Sequence, residues 1–411
     1  MSSKTMLKGL TINKTWKAYN GYTLFTSLGQ NKATLISMSG RVMHEWSIPD
    51  MPILFADLQP NGNLICSCHL PDGPLADLEC ASGMLMEIDW EGNVVWKYKD
   101  PYMHHGFFRM KNGNILILKW AKVQKDLSSK VCGGYPCSER DGVMWGDVIQ
   151  EITPNGKIVW EWVSFEYLSP ENDIICPVCG RDQWGNANSC VEMADGNIAV
   201  CFRRLNIICG IDKVTGKIDW RWGLHEISHP SYITLTENGN PLLFDNGFHG
   251  EGIHHPYSRI MELDPKTRKV IWTYRDKDND NIGFYSGFMS SCQRLPNGNT
   301  LIVESNTGRI FEITTGGEII WEFRNPAYAE FADYGNNNVV PRAVRYGCDY
   351  CGLKGNKELK LGKFIQTQSD IERNKKKETT KAIENKPITE ETKAGDSQKK
   401  DVESRLAHLG Y

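Results

Sequence analysis

The chain of 411 residues lacks an apolar run long enough to span a membrane, and no small-residue cleavage site follows its first residues. We therefore expect no signal peptide, no membrane helix and a cytoplasmic location. Its repeated part lacks a basic cluster, and the formal net charge is −3. Nothing in this charge distribution favours nucleic acid as a partner.

Cysteine, by contrast, is abundant, with 13 residues in the chain. In a reducing cytoplasm disulfides are rare, so we expect these side chains to be thiols or metal ligands.

A short apolar segment containing tryptophan recurs six times along the chain. The copies are RVMHEW (Trp46), NVVWKY (Trp96), KIVWEW (Trp160), KIDWRW (Trp220), KVIWTY (Trp272) and EIIWEF (Trp321). Successive tryptophans of this set are 49 to 64 residues apart. Sequence repeats of about this length are typical of solenoids and propellers, in which the repeats pack into one closed body. We expect the tryptophans of the last five copies to occupy equivalent positions.

A second repeated signal is a tight turn inside five of the six periods. The turns are PNGN (60–63), KNGN (111–114), ADGN (194–197), ENGN (237–240) and PNGN (296–299). Asn-Gly and Asp-Gly suit the positive-φ positions of short hairpins. Four strands per period, labelled A to D from the channel outward, predict an all-β, six-bladed β-propeller.

The first period has strands B, C and D but no strand A before them. We predict that residues of about 338–346, within NNNVVPRAVRYG, supply the missing strand and close blade 1, because closure removes free sheet edges. The expected organisation is an N-terminal extension (1–17), the propeller (18–352) and a polar tail (353–411). The tail has too little apolar content to fold, so we expect disorder over about 356–400 and at most a short terminal helix.

Propeller connectivity sorts the candidate residues onto one face, which we call the top. Connections B–C and D–A lie there, together with the first residues of the channel-lining A strands. The polar residues expected at the mouth of the channel are His104, His105, Asn186, Asn188, His229 and Ser231. The soft-ligand residues expected in the top loops are Cys68, His69, Cys132, Cys137, Cys176 and Cys179.

Two C-x-x-C-G segments strengthen the metal interpretation. They are Cys176–Gly180 and Cys348–Gly352, and this spacing is typical of zinc or iron knuckles. Strand direction places the first at the top and the second at the bottom, so we do not expect them to share an ion. We predict that the sulfurs of Cys176 and Cys179 lie within about 4 Å of each other. A zinc clip, a catalytic metal and free thiols are the alternatives, and His249, His254 and His255 are further candidate ligands.

Several stretches together resemble the arylsulfotransferase family, whose members are six-bladed propellers that move a sulfuryl group between phenols without a soluble cofactor. The stretches run from about residue 18 to 350 and include AYNGYTLFTSLG, HHGFFRMKNGN, NSCVEMADGN, CFRRLNIICGIDKVTGKIDW, SCQRLPNGNTLI and RAVRYG.

The resemblance implies a histidine that takes the sulfuryl group, flanked by histidines and an arginine. His105 matches the histidine of the family's HH motif, and Arg203 matches its arginine. Asn186 stands where the family has another histidine. The position of the nucleophile falls on Ser231 without a gap and on His229 with one. We therefore predict His105, His229 and Arg203 as catalytic residues and His104, Asn186, Asn188 and Ser231 as substrate-binding residues.

Three hypotheses follow from these patterns. The first is an arylsulfotransferase-like enzyme acting on small aromatic substrates, with no cofactor required for the transfer. The second is a metal-dependent lyase, hydrolase or redox enzyme that uses Zn or Fe held by the top-face Cys and His residues. The third is a non-catalytic binding propeller.

Overall fold

The computed structural model describes residues 8–250, 257–275 and 283–354. The chain divides into two units, residues 1–364 and 365–411. The predicted disorder over 356–400 and the predicted terminal helix lie outside the described residues. No helix in the described ranges is long and apolar enough to cross a membrane.

Six antiparallel sheets form the six predicted blades, which confirms the propeller. From the innermost strand outward, the blades consist of Ala343–Gly347, Gly21–Thr26, Lys32–Ser37 and Val42–Ser47 (blade 1); Ile53–Leu58, Leu64–His69, Gly83–Ile88 and Val94–Lys99 (blade 2); Met103–Arg109, Ile115–Lys122, Trp145–Ile152 and Ile158–Val163 (blade 3); Ala187–Glu192, Ile198–Phe202, Ile207–Ile211 and Ile218–Trp222 (blade 4); Ser231–Leu235, Pro241–Asp245, Arg259–Asp264 and Lys269–Tyr274 (blade 5); and Ser291–Arg294, Thr300–Glu304, Arg309–Ile313 and Ile319–Arg324 (blade 6).

A few short elements lie outside the blades. They are the two-residue strands Ala329–Glu330 and Asn336–Asn337, the helices Lys125–Ser128 and Cys351–Lys354, and the 3-10 turns Ser164–Glu166, Ser305–Thr307 and Ala332–Tyr334. A further two-residue strand, Gln183–Trp184, pairs in parallel with Trp145–Ile152 of blade 3.

Both ends of the described chain join blades far away in sequence. The predicted C-terminal strand is present as Ala343–Gly347, and it pairs with Gly21–Thr26 to close blade 1. The predicted N-terminal extension adds a strand that the sequence analysis did not foresee. Gly9–Asn13 pairs with Ile319–Arg324 and becomes the fifth, outermost strand of blade 6. Blades 6 and 1, which are neighbours, thus each contain one end of the propeller chain.

The repeated tryptophans are equivalent, as predicted. Each of the five pairs with the residue of the third strand that directly precedes a register shift; they are Trp96, Trp160, Trp220, Trp272 and Trp321. Several indole nitrogens also donate to a backbone carbonyl in the outer turn of the next blade. The bonds are Trp160 to Lys213 (2.9 Å), Trp272 to Thr315 (3.2 Å) and Trp321 to Met38 (2.9 Å). The repeat therefore encodes contacts between blades as well as within them.

Tight turns with positive-φ glycine occur where the Asn-Gly and Asp-Gly signals predict them. Gly62, Gly113, Gly196, Gly239 and Gly298 have φ values between +80° and +92°, a range that only glycine adopts at low cost. These turns end the innermost strands at the bottom, so the long connections and the candidate residues are collected at the top.

Candidate active site and a neighbouring cysteine–histidine cluster

A cavity of about 540 Å³ lies among the top loops. Its walls are rich in aromatic side chains, and its charged lining residues are Asp77, Glu79 and Arg203. The aromatic lining residues are Phe248, Tyr285, Phe288, Phe331 and Tyr334. A volume of several hundred Å³ with apolar walls and few charges is typical of a small-molecule site.

Arg203 follows the strand Ile198–Phe202 and brings a buried guanidinium to the cavity wall. It donates to the carbonyls of His229 (3.1 Å) and Gly287 (3.0 Å), and its Nε lies 4.0 Å from Glu79 Oε2. Arg204, the next residue, pairs with Asp182 at 2.7 Å. Of these two arginines, only Arg203 lines the cavity, so it is the one placed to bind an anion there.

His104 and His105 lie on the innermost strand of blade 3, and their Nδ1 atoms are 2.8 Å apart. His105 has a φ of 56°, and the strand shifts register beside it. This bulge lets two successive residues approach one another instead of pointing to opposite faces. The backbone N–H of His105 donates to the carbonyl of Cys80, a cavity residue, at 2.7 Å.

The two rings of this pair differ in what surrounds their Nε2 atoms. His104 is fully buried, stacks on Trp120 and has its Nε2 3.5 Å from Oδ1 of Asp147. Nε2 of His105 makes no hydrogen bond within the described part of the chain and is not among its fully buried unpaired atoms. One end of the pair therefore faces a carboxylate, while Nε2 of His105, a residue that adjoins the cavity through Cys80 without lining it, has no hydrogen-bond partner in the described ranges.

Burial controls the charge of these groups. It lowers the pKa of His105 to about 4, with Glu79 opposing and Arg203 reinforcing the effect. Burial and the neighbouring His105 place the pKa of His104 well below its usual range. Burial also raises the pKa of Asp147 to about 7. Both imidazoles are consequently neutral at pH 7, which is the form that acts as nucleophile or base.

Asn186, Asn188 and Ser231, predicted as substrate-binding, make contacts between neighbouring segments. Asn186 donates to Gln183 (2.8 Å), and Asn188 donates to the carbonyl of Pro230 (2.8 Å). The hydroxyl of Ser231 donates to the carbonyl of Met289. None of these three residues lines the top cavity, and their role towards substrate stays a prediction.

Beside the cavity, four potential ligands converge on the connection that leads into blade 4. Cys176, Cys179, His229 and His249 form a cluster, hereafter the cysteine–histidine cluster, whose donor atoms all lie within 4.8 Å of one another. Cys179 Sγ is 3.1 Å from His229 Nε2, and His249 Nδ1 is 3.7 and 3.8 Å from the two sulfurs. His229, which was predicted as the nucleophile, thus directs Nε2 towards a thiol.

The contacts within the cluster favour a thiolate at Cys176 and a thiol at Cys179. A hydrogen bond from the Cys179 thiol, supported by His229, lowers the pKa of Cys176 to about 3. Donation of this hydrogen bond to Cys176, followed by burial and the negative charge of Cys176, raises the pKa of Cys179 above its usual value. Burial lowers the pKa of His229, so this imidazole is neutral near pH 7.

The other predicted ligands lie elsewhere. Cys68 is buried, with its sulfur 3.8 Å from that of Cys66. His69 lines the cavity and bonds the carbonyl of Ala81 through Nδ1 (2.9 Å). Cys132 and Cys137 are exposed free thiols. The structure does not bring these four residues into the cluster.

The second C-x-x-C-G segment lies at the bottom of the propeller, as strand direction predicts. It follows the closing strand of blade 1, and Gly352 packs against the carbonyl of Gln59 in a bottom turn. His254 and His255 lie outside the described residues.

Sequence reasoning missed Asp147 and Glu79 and gave His249 only a minor place. The available signal for Asp147 was a carboxylate between the apolar residues Trp145 and Val148 at the start of the strand Trp145–Ile152. Glu79 lies in a variable loop, and only the folded chain places it opposite Arg203.

Comparison with solved structures identifies similar folds at low sequence identity. A protein of unknown function from Bacteroides caccae is 13% identical, with a TM-score of 0.50, covering 79% of this chain and 98% of its own. A streptogramin B lyase is 14% identical, with a TM-score of 0.45, covering 82% of this chain and 93% of its own. Comparison with curated protein sequences finds no match.

The family comparison extends over most of the propeller. Residues 81–326, from the cavity loop of blade 2 to the outer strand of blade 6, match the model for the arylsulfotransferase (ASST) family. This range contains His104, His105, Asp147, Arg203 and the cysteine–histidine cluster. With more than half of its length matched, the chain belongs to the arylsulfotransferase family.

Proposed function

We propose that this protein transfers a sulfuryl group from an aryl sulfate to a phenol, with His105 as the residue that carries the group. The observation that carries the proposal is the contact between Nδ1 of His104 and Nδ1 of His105 at 2.8 Å, backed by Asp147. Membership of the arylsulfotransferase family supports the same class of reaction.

One hydrogen bond, between His104 and His105, and the proximity of His104 to Asp147 support the tautomers needed for a nucleophile. Asp147, whose pKa burial raises to about 7, attracts the proton of His104 to Nε2 across 3.5 Å when it is ionised, because a carboxylate accepts and cannot donate. Nδ1 of His104 then accepts from Nδ1–H of His105, which leaves a lone pair on Nε2 of His105. An acid that orients one imidazole is a recurring device in nucleophilic catalysis.

Arg203 provides the charge complement for the reacting group. The donor sulfate ester is anionic, and a guanidinium in a partly dehydrated wall stabilises sulfonate oxygens more than it would in water. The surrounding aromatic side chains contact the ring of the phenol. Phe248 is the aromatic wall residue beside the anion-binding group, because its ring centre is 5.7 Å from the Arg203 guanidinium.

The transfer has two balanced steps. In the first, Nε2 of His105 attacks sulfur, an N–S bond forms, the S–O(aryl) bond breaks, and a phenolate leaves. In the second, the hydroxyl of an acceptor phenol attacks the same sulfur, a new S–O bond forms, and the N–S bond breaks. Glu79, a carboxylate of the cavity, receives the proton of the acceptor in the second step and donates it to the phenolate that leaves in the next catalytic cycle.

His229 as the nucleophile is the alternative within the same reaction. Its Nε2 lies against Cys179 at 3.1 Å, and its Nδ1 is buried without a partner in the described part of the chain. A metal-dependent reaction is the second candidate function, and the cysteine–histidine cluster is the observation that favours it. In that case a chelator would abolish turnover and no sulfuryl group would be found on the protein.

The deciding experiment follows the sulfuryl group itself. The full chain is incubated with a chromogenic aryl sulfate labelled with ³⁵S, quenched at alkaline pH and mapped by mass spectrometry. We expect label on the peptide containing His105, with release of the coloured phenolate and transfer to added phenol.

His105→Ala, with His69→Ala as a cavity-wall control, separates the alternatives. We expect His105→Ala to take up no label and His69→Ala to retain it. Label on His229 would assign the nucleophile there. Turnover without any labelled protein and abolished by a chelator would replace this proposal with the metal-dependent one, and no turnover would favour a binding propeller.

A further inference from the structure

We infer that the cysteine–histidine cluster is a tetrahedral zinc site in which Cys176, Cys179, His229 and His249 supply all four ligands. The site is distinct from the sulfuryl-transfer site and does not depend on the proposed function. It differs from the ligand set expected from the sequence, since two histidines of blade 5 replace the other top-loop cysteines.

The separations between the donor atoms match the edges of such a site. Zinc binds thiolate at roughly 2.3 Å and imidazole at roughly 2.0–2.1 Å, so tetrahedral ligand atoms lie about 3.3–3.8 Å apart. Three of the measured separations are 3.1, 3.7 and 3.8 Å, and none exceeds 4.8 Å. A small contraction around one ion would complete the coordination without moving the strands.

Backbone contacts hold the ligands in this arrangement. The N–H of Cys179 donates to the carbonyl of Cys176 (2.9 Å), closing the knuckle, and Cys176 is anchored to the carbonyl of Arg204 (2.8 Å). His229 donates its N–H to Asn206 Oδ1 at 2.8 Å. His229 and His249 both have positive φ values, 52° and 58°. Non-glycine residues adopt this conformation at a cost, and such residues concentrate at ligand sites.

The chemistry of the donors selects the metal. Two sulfurs and two imidazole nitrogens, with no carboxylate, favour zinc over magnesium or calcium, which prefer oxygen. Two thiolates also balance the charge of a divalent ion, so the filled site is neutral beside Arg203 and Arg204. With all four positions supplied by protein, the site has the closed form typical of structural zinc.

The ion would connect three separate segments of the top face. Cys176 and Cys179 belong to the connection into blade 4, His229 precedes the inner strand of blade 5, and His249 follows the second strand of that blade. Phe248 stacks on His249 with ring centres 3.8 Å apart and lines the cavity. Zinc would therefore fix one wall of the cavity from behind.

Metal content of the purified full chain tests the inference. We expect about one equivalent of zinc by elemental analysis, removable by a strong chelator. Replacement with Co²⁺ should give the intense visible d–d bands of a tetrahedral ion and a near-ultraviolet thiolate band. These readouts do not require an active enzyme.

Matched variants assign the ligands. Cys179→Ser and His249→Ala should each reduce the metal content to below about a tenth of an equivalent and change the Co²⁺ spectrum. Cys132→Ser and Cys137→Ser, exposed thiols of the top loops, should leave both readouts unchanged. If Cys179→Ser does not fold, His249→Ala still tests whether the cluster binds the metal, because His249 is an exposed ligand.

Two results would overturn the inference. One is a folded wild-type chain that binds neither zinc nor Co²⁺ at stoichiometric concentration. The other is metal that persists in both cluster variants but disappears in Cys348→Ser/Cys351→Ser, which would place the ion at the bottom of the propeller.

Discussion

Arg203 donates through Nη1 to the backbone carbonyl of His229 at 3.1 Å, so the cavity and the cysteine–histidine cluster share one wall. The bond joins the guanidinium proposed to bind the sulfonate to the residue that contacts Cys179. A substitution in the cavity or in the cysteine–histidine cluster should therefore also alter ligand binding at the other site, although the two sites bind different ligands.

Replacing Arg203 with lysine should lower kcat/KM for an aryl sulfate by about 10²-fold, because a lysine cannot reproduce the planar donor geometry. Steady-state release of a coloured phenolate measures this. Arg204→Lys is the matched control, since Arg204 pairs with Asp182 and does not line the cavity. Equal losses in both variants would contradict a specific role for Arg203.

Asp147→Asn should reduce phenolate release by roughly 10²- to 10⁴-fold with little change in the fold, as occurs when an asparagine reverses a histidine tautomer. The new amide would donate to His104 Nε2, and the proton on His105 would move to Nε2. Histidine ¹⁵N chemical shifts report this reversal directly. Reduced activity with wild-type tautomers would mean that Asp147 acts only through stability.

The rate of the first half-reaction should fall in two steps as the pH decreases, with midpoints near 7 and near 4. Burial raises the pKa of Asp147 to about 7, and a protonated Asp147 no longer holds the proton of His104 on Nε2. Burial lowers the pKa of His105 to about 4, so the imidazole is neutral and nucleophilic above that value and protonated below it. Single-turnover release of phenolate isolates this step from proton transfer to Glu79. Asp147→Asn should remove the step near pH 7 and keep the step near 4, and a rate that does not fall below pH 5 would count against His105. Circular dichroism should be recorded at each pH as the folding control.

Arg345→Met should destabilise the chain by about 3–5 kcal/mol, because it leaves the buried carboxylate of Glu312 without its cation. Both side chains are fully buried, and Arg345 Nη1 lies 3.2 Å from Glu312 Oε2. Adding Glu312→Gln to the first change should recover part of the loss. Urea unfolding of the single and double variants measures the coupling, and simple additivity would refute it.

The fold was largely predictable because each blade repeats the same local signals. The six tryptophan segments and the five Asn-Gly or Asp-Gly turns are each properties of a few adjacent residues, and together they predict six blades. The closing strand was predictable because blade 1 lacked a partner for Gly21–Thr26. The pairing of Gly9–Asn13 with blade 6 was not, since a five-residue strand on an outer edge has no periodic signal of its own.

The sites were less predictable because they depend on contacts between blades. The spacing of Cys176 and Cys179 indicated a knuckle, but their neighbours His229 and His249 come from another blade and have no sequence relation to it. The bulge at His105 is a backbone feature that cannot be predicted from the residue types around it. Without it, alternation along the strand would separate His104 from His105 and give Asp147 no part in the site.

Closure of blade 1 by Ala343–Gly347 also has a consequence for synthesis. Gly21 pairs with Gly347, so the first strands leave the ribosome roughly 300 residues before their partner. At a synthesis rate of about 5–20 residues per second, the apolar edge of these first strands is unpaired for roughly 15–65 s. Phe331 and Tyr334, which line the cavity, are also made near the end. A nascent chain therefore has no complete cavity, because almost the last residues of the propeller are needed to close the ring.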